Sequence, residues 1–264
     1  MLHSSQSQSD GPPVLFLHAA GYDSRMWGEV VDLLPDFRSI QLDLPGHGQS
    51  ESIEMKSFAD AADDVAKTVK ALGYGKIHIA GVSMGSYVGF QLMLRHPELV
   101  TNAILSGFQY RPIQIPKSAK AMMHAFSWFT RLRIVRERMA RSMGIQDMSL
   151  ISAPDGSANC SAETTRHVGN LALQFDVEAD LPKAIARTLV LAGSKEHTAI
   201  KSCLPGFQEN LPNGTAGIVP NLGHGWIANA PELFAETIRA WIEDSALPDQ
   251  LNLMAPEIPT LKSH

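Results

Sequence analysis

A serine between two glycines stands where an apolar run meets a helical pattern. Ser83 lies between Gly81 and Gly85, after the apolar run 76–80 and before the helical pattern 86–95. A nucleophilic serine of this kind sits on a tight, strained strand-to-helix turn, where side chains at the two glycine positions would collide with the adjoining strand and helix. The spacing predicts Ser83 as a nucleophile. The competing interpretation is an ordinary glycine-rich turn.

A serine hydroxyl needs a base near pH 7, and the chain offers ten histidines. His224 follows the last predicted strand, in a loop where Gly223 and Gly225 flank it. The chain order nucleophile, acid, histidine is the order expected for this type of turn. We therefore expect His224 to be the general base, with a purely structural loop histidine as the alternative.

The base in turn needs a carboxylate that holds its ring and stabilises the imidazolium. Glu196 is the only acid in the segment 193–197, which follows the fifth predicted strand, and the segment 107–109 after the fourth strand has none. Glu196 is therefore the predicted acid, against the alternative of a solvated side chain beside Lys195. Three other acids precede the fifth strand and should lie at its wrong end or in the insert: Asp176, Glu178 and Asp180.

An acyl-transfer site also needs two preorganised donors for the developing oxyanion. The backbone N–H of Met84, directly after the nucleophile, is the first candidate. The small residues of segment 18–21 let backbone approach a substrate, and we favour the N–H of Ala20 as the second donor. His18 is expected to brace this loop, although a catalytic His18 is the alternative.

Apolar runs alternate with helical spacing along most of the chain. Such alternation predicts parallel βαβ units and an α/β fold with a doubly wound, mostly parallel sheet. The runs that we interpret as strands are 14–17, 38–44, 76–80, 102–106, 188–192 and 217–220.

The chain divides into a core, an insert and two tails. The core is predicted over 12–107 and 188–243, and the residues 108–187 between its fourth and fifth strands far exceed an ordinary α/β connection. We interpret this insert as a helical cap over the edge of the sheet where open α/β sheets bind ligands. The segments 1–11 and 245–264 are predicted to be polar tails.

The cap is expected to contribute to substrate binding. It is rich in methionine, which suits either an ordinary core or an adaptable apolar pocket. We predict that Met122 and Met123, together with Trp226 beside the base, contact the substrate. Five arginines within 131–141 could form an anion-binding patch, but their spacing favours the solvated flanks of an amphipathic helix.

Composition excludes several other classes of protein. The chain has 264 residues, 44% of them hydrophobic, and a formal net charge of −5, which is the wrong sign for a dedicated nucleic-acid binder. Cys160 and Cys203 have no neighbours at zinc-ligand spacing, and no glycine-rich nucleotide motif follows a strand, so neither a metal nor a cofactor is expected. Without a signal peptide or an apolar stretch of about 20 residues, we expect a cytoplasmic protein that does not bind membranes. The sequence does not determine the oligomeric state.

Four ordered motifs resemble the α/β-hydrolase superfamily, in its serine branch with a helical cap. Segment 18–27 is similar to the family's His-Gly-x…Trp segment, with Ala19 where glycine is commoner, and 43–50 is similar to its second strand-end loop. Segment 81–85 matches the nucleophile turn, and 223–234 matches the terminal histidine loop and helix. Two features depart from the family: the N-terminal β-hairpin is reduced or absent, and Glu196 stands where aspartate is common.

The resemblance and the residues together imply a small-molecule enzyme. The first hypothesis is a cofactor-independent serine hydrolase that cleaves a small, largely apolar ester or lactone, or the C–C bond of a 1,3-diketone, through an acyl-enzyme. The second is a non-hydrolytic enzyme of the same fold, such as a hydroxynitrile-lyase-like enzyme, a decarboxylase or a cyclase. The third is a ligand-binding receptor, since a fold alone does not determine function.

Overall fold

The computed structural model describes residues 1–116, 118, 129, 132–142 and 159–255. Over these residues the chain forms a central sheet of eight strands in the order β1-β3-β2-β4-β5-β6-β7-β8. Strands β2 to β7 run parallel, and their apolar side chains are buried on both faces, as in a sheet covered by helices on each side. The strands are β1 Ser4–Gln6, β2 Pro13–Leu17, β3 Arg38–Leu42, β4 Ile77–Val82, β5 Val100–Ser106, β6 Arg187–Gly193, β7 Gly214–Val219 and β8 Asn252–Leu253. The predicted fold class is confirmed.

Helices cover both faces of this sheet. The described helices, numbered in chain order, are α1 Gly28–Asp32, α2 Phe58–Ala71, α3 Met84–Arg95, α4 Arg133–Ser142, α5 Ala162–Gln174, α6 Thr198–Lys201, α7 Leu204–Asn210, α8 Trp226–Asn229 and α9 Pro231–Ile242. Helices α2, α3, α5 and α7 pack into the core on one face, and α1, α8 and α9 pack on the other. Short 3₁₀ helices lie at Ser24–Trp27, Gly48–Ser50 and Glu178–Lys183.

The two predicted tails partly belong to the sheet, which corrects the expectation for 1–11 and 245–264. Strand β1 pairs antiparallel with β3, and Leu2 beside it is buried in the core. Strand β8 pairs antiparallel with β7, and the preceding Leu251 is buried as well.

The insert is docked on the core through its last described helix. Val168 of α5 is buried in the core, and the ring of Phe175 after this helix packs against Phe58 and Tyr87 with centroids 5.8 and 4.8 Å away. In α4, Arg133 and Arg141 both pair with Glu137, which fits a solvated helix face rather than an anion site. Over the described part of the chain, none of the helices has the length and apolar character needed to cross a membrane.

Candidate active site

Ser83 occupies the turn between β4 and α3 in a strained conformation. Its φ is 52° and its ψ is −117°, a region that non-glycine residues rarely adopt and that costs of order 1–3 kcal/mol. A Cβ on Gly81 would lie 2.8 Å from the carbonyl oxygen of Gly85, and a Cβ on Gly85 would lie 1.9 Å from the carbonyl oxygen of Leu17. Both glycines are therefore required by close backbone packing, as the sequence predicted.

Hydrogen bonds from the neighbouring strand fix this turn. The N–H of Ser83 and the hydroxyl of Ser86 both donate to the carbonyl of Ser106, each at 2.8 Å. The hydroxyl of Ser86 in turn accepts from the N–H of Ser106 at 3.0 Å. The end of β5 thus holds the strained residue at the carboxyl edge of the sheet.

Trp226 braces the same strand end from the core and does not line the site. Its indole is fully buried, donates from Nε1 to the hydroxyl of Ser106 at 2.8 Å, and packs against Phe234. The prediction that Trp226 contacts substrate is wrong, because its side chain belongs to the core between the sheet and α9. Met122 and Met123, the other predicted substrate contacts, lie outside the described residues.

His224 and Glu196 form a close pair at the carboxyl edge of the sheet. Nδ1 of His224 lies 2.5 Å from Oε1 of Glu196, whose side chain is only 2% exposed, whereas that of His224 is 33% exposed. Oε2 of Glu196 is buried, and no group in the described part of the chain is bonded to it. The structure therefore brings together the predicted base and acid, and the imidazole is the more exposed of the two side chains.

Gly107 lies between this pair and the strand end that binds Ser83. It has a φ of +73°, and a Cβ there would lie 3.0 Å from Cε1 of His224 and 3.7 Å from Oε2 of Glu196. Because Gly107 directly follows Ser106, the imidazole packs on the same strand end that binds the backbone of Ser83. Sequence reasoning missed Gly107, although a glycine directly after a predicted strand was an available signal.

The loop after β2 is held by His18. His18 is fully buried, and its Nε2 accepts from the N–H of Leu44 at 2.9 Å, so Nδ1 carries the proton and donates to the carbonyl of Ala19 at 2.8 Å. Burial lowers the pKa of His18 and keeps the ring neutral. His18 therefore braces the loop, as predicted, and the alternative of a catalytic His18 is not supported.

The two predicted oxyanion donors lie at the start of α3 and in the loop after β2. Met84 is the first residue of α3, and the first N–H groups of a helix have no acceptor within the helix. Ala20 lies in the loop that His18 braces, two residues after it. Among the described residues, no group of three or more His, Cys, Asp or Glu side chains is arranged to hold a metal ion.

A second buried histidine beside this loop makes stability depend on pH. His47 is fully buried with Nδ1 3.0 Å from the carbonyl of Pro45, and burial, with a smaller effect of nearby His18, lowers its pKa to about 3. The unfolded chain binds a proton near pH 6.5 and the folded chain does not, so stability falls as pH drops below 6.5.

We expect His47→Gln to flatten this dependence. Glutamine can donate to Pro45 but does not titrate. Between pH 8 and pH 5 the free energy of unfolding of the variant should therefore fall by about 2 kcal/mol less than that of the wild type. Urea unfolding at both pH values measures the difference. If the free energy of unfolding falls equally in the two proteins, burial of His47 is not what lowers stability at acid pH.

Shortening Glu196 tests the contact with His224. Glu196→Asp withdraws the carboxylate by about 1.5 Å, so we expect kcat to fall about 10- to 100-fold while KM changes little. Ester-hydrolysis kinetics measure the effect, with Glu209→Asp on the exposed face of α7 as the matched control. Wild-type kcat in Glu196→Asp would show that the pair does not serve catalysis.

Comparison with known proteins identifies the family of this chain. Residues 12–146, half of the chain, match the family model described as alpha/beta hydrolase fold. The chain belongs to this family. A protein of Caulobacter sp. (strain K31) named as a carbamate hydrolase is 26% identical to this α/β-hydrolase over 257 residues, which cover 90% of the chain and 93% of the relative.

Solved structures give the same fold. An esterase from Exiguobacterium antarcticum superposes with a TM-score of 0.78 at 19% identity, covering 92% of this chain and 95% of its own. The enol-lactonase from Burkholderia xenovorans LB400 superposes with a TM-score of 0.73 at 20% identity, covering 92% and 96%. The family, the fold and the broad class of hydrolase predicted from the sequence are thus confirmed.

Proposed function

We propose that this α/β-hydrolase is a cofactor-independent serine hydrolase of a small, largely apolar ester or lactone. Ser83 is the nucleophile, His224 the base and Glu196 the acid. The observation that carries the proposal is the pair of His224 and buried Glu196, packed over Gly107 beside the strained turn that carries Ser83.

In acylation each group has one role. Nε2 of His224 takes the proton of the Ser83 hydroxyl while Oγ attacks the substrate carbonyl carbon, and the π electrons move to the carbonyl oxygen. The N–H groups of Ala20 and Met84 stabilise that oxyanion. The buried carboxylate of Glu196 holds the proton on Nδ1 and stabilises the imidazolium that forms.

The same groups complete acylation and then hydrolyse the acyl-enzyme. When the first oxyanion collapses, the bond to the leaving oxygen breaks and His224 delivers its proton to that oxygen, which leaves the acyl-enzyme. A water molecule then gives a proton to His224 and attacks the acyl carbon. The second oxyanion collapses, the carboxylic acid leaves, and Ser83 regains its proton from His224.

Several printed names of similar proteins support acyl–oxygen chemistry. They include a carbamate hydrolase, an esterase and an enol-lactonase, each of which acts on a carbonyl bonded to a heteroatom. A relative from Serratia proteamaculans, 22% identical over 256 residues, is named a 2-succinyl-6-hydroxy-2,4-cyclohexadiene-1-carboxylate synthase, so the non-hydrolytic alternative also has a named relative.

A substrate panel combined with active-site labelling tests this proposal. Purified protein is assayed with short-chain p-nitrophenyl esters, aliphatic lactones and 1,3-diketones, and is separately treated with a fluorophosphonate and digested for mass spectrometry. We expect ester or lactone turnover and modification of the peptide that contains Ser83. Turnover confined to diketones, or tight ligand binding without any turnover, would overturn the proposal.

A further inference from the structure

Asn159 joins the insert to two loops of the core. Its carbonyl accepts from the N–H of Gly48 at 2.8 Å, and its side-chain Oδ1 accepts from Nη2 of Arg25 at 3.2 Å. The next residue, Cys160, pairs with His47 in an isolated antiparallel bridge. Asn159 is only 3% exposed. One buried residue therefore contacts both the loop after β2 and the loop after β3.

Arg25 carries this contact into the loop after β2. Its Nε and Nη2 bind the two carboxylate oxygens of Asp23 at 2.9 and 2.7 Å, and its N–H donates to Oδ1 of Asp23 at 3.0 Å. Asp23 is 5% exposed. A guanidinium held by two parallel bonds has a fixed direction, so its further bond to Asn159 transmits the position of the insert to the loop.

The two core loops are also joined to each other without the insert. Asp43 accepts from the N–H of Ser24 at 2.9 Å and from the N–H of Gln49 at 2.8 Å. The contact to Asn159 therefore acts on a unit that is already partly ordered. Its loss should shift the loop rather than unfold it.

The loop that Asn159 braces contains the second proposed oxyanion donor. Ala20 lies five residues before Arg25 in this loop, whereas the first donor, Met84, is fixed by α3. Donors act on a transition state only when they are held within about 0.5 Å of the productive geometry. The separation of the two donors thus depends on a loop that the insert helps to hold.

We propose that Asn159 is a positioning residue that couples the docking of the insert to the geometry of the oxyanion site. The inference rests on the proposed function, because it needs Ala20 to act as an oxyanion donor. It assigns to the return segment of the insert a role in the chemical step, beyond covering the substrate.

Kinetics of Asn159→Ala test the coupling. We expect kcat for a p-nitrophenyl ester to fall about tenfold with little change in KM, because only transition-state binding is lost. The affinity for an aryl trifluoromethyl ketone, which adds to the serine and forms an oxyanion, should fall by the same factor. Asn159→Asp keeps an acceptor for Arg25 and should restore most of kcat. Asn213→Ala, which removes a side-chain bond across a loop at the opposite end of the sheet, is the control.

A second variant keeps the test decisive if Asn159→Ala does not fold. Arg25→Met removes the same bond together with the Asp23 pair, from a side chain that is 40% exposed, and it should lower kcat and ketone affinity at least as much as Asn159→Ala. The double variant should lose no more than Arg25→Met alone, because the bond between Arg25 and Asn159 is already absent there. Independent losses, or a rise in KM at unchanged kcat, would overturn the inference.

The wild-type protein in the same assays separates this inference from the proposed function. If the wild type neither hydrolyses esters and lactones nor is labelled at Ser83, the proposed function fails and the inference fails with it. If the wild type is active and labelled while both variants match it in kcat and ketone affinity, only the role of Asn159 is overturned.

Discussion

Ser83→Ala is expected to lower kcat for ester hydrolysis by about 10⁴- to 10⁶-fold. Without Oγ no acyl-enzyme forms, and the residual rate comes from substrate binding and the oxyanion donors alone. The backbone turn should persist, because the bond from the N–H of residue 83 to Ser106 does not involve the side chain. Steady-state kinetics and loss of fluorophosphonate labelling measure the effect.

The matched control for this substitution is Ser202→Ala. Ser202 is exposed, and its hydroxyl donates to the carbonyl of Ala199 away from the strand that carries the nucleophile. It should retain wild-type kcat and labelling. A Ser83→Ala protein that keeps even one tenth of the wild-type kcat would exclude Ser83 as the nucleophile.

Gly85→Ala is expected to destabilise the protein by about 3 kcal/mol or more. The new Cβ would lie 1.9 Å from the carbonyl oxygen of Leu17, which is part of a central strand and has no rotamer to change. Either α3 or β2 must move, and the turn at Ser83 moves with it. Urea unfolding measures the loss of stability, and kcat should fall in the same variant.

Gly169→Ala is the control, and it is expected to change stability in the opposite direction. Gly169 lies inside α5, and a Cβ there would meet no atom within 4 Å. Alanine favours a helix over glycine by about 1 kcal/mol, so this variant should be slightly more stable than the wild type. If both variants unfold at the same urea concentration as the wild type, close packing at Gly85 is not what requires the glycine.

The sequence was most informative where local pattern and chemistry coincide. Runs rich in apolar residues predicted the six inner strands, because most side chains of a strand covered on both faces are buried. The glycine spacing around Ser83 predicted the strained turn, and chain order selected His224 and Glu196, which the structure pairs at 2.5 Å.

Other features depend on contacts between distant parts of the chain and could not be predicted. The edge strands β1 and β8 are short and carry no apolar run, so they were assigned to tails. Trp226 was expected at the substrate because it stands two residues from His224, but the chain turns its indole into the core. Asn159 contacts Arg25 across 134 positions, a separation that no local spacing encodes.

The outer strands of the sheet also limit edge-to-edge association between molecules. Strand β1 is three residues long and polar, and β8 is two residues long. An extended apolar edge would offer its unpaired amides and carbonyls to another chain and invite aggregation. Here the long parallel strands are flanked instead by brief antiparallel ones, so continuation of the sheet from one molecule into the next would gain few backbone bonds.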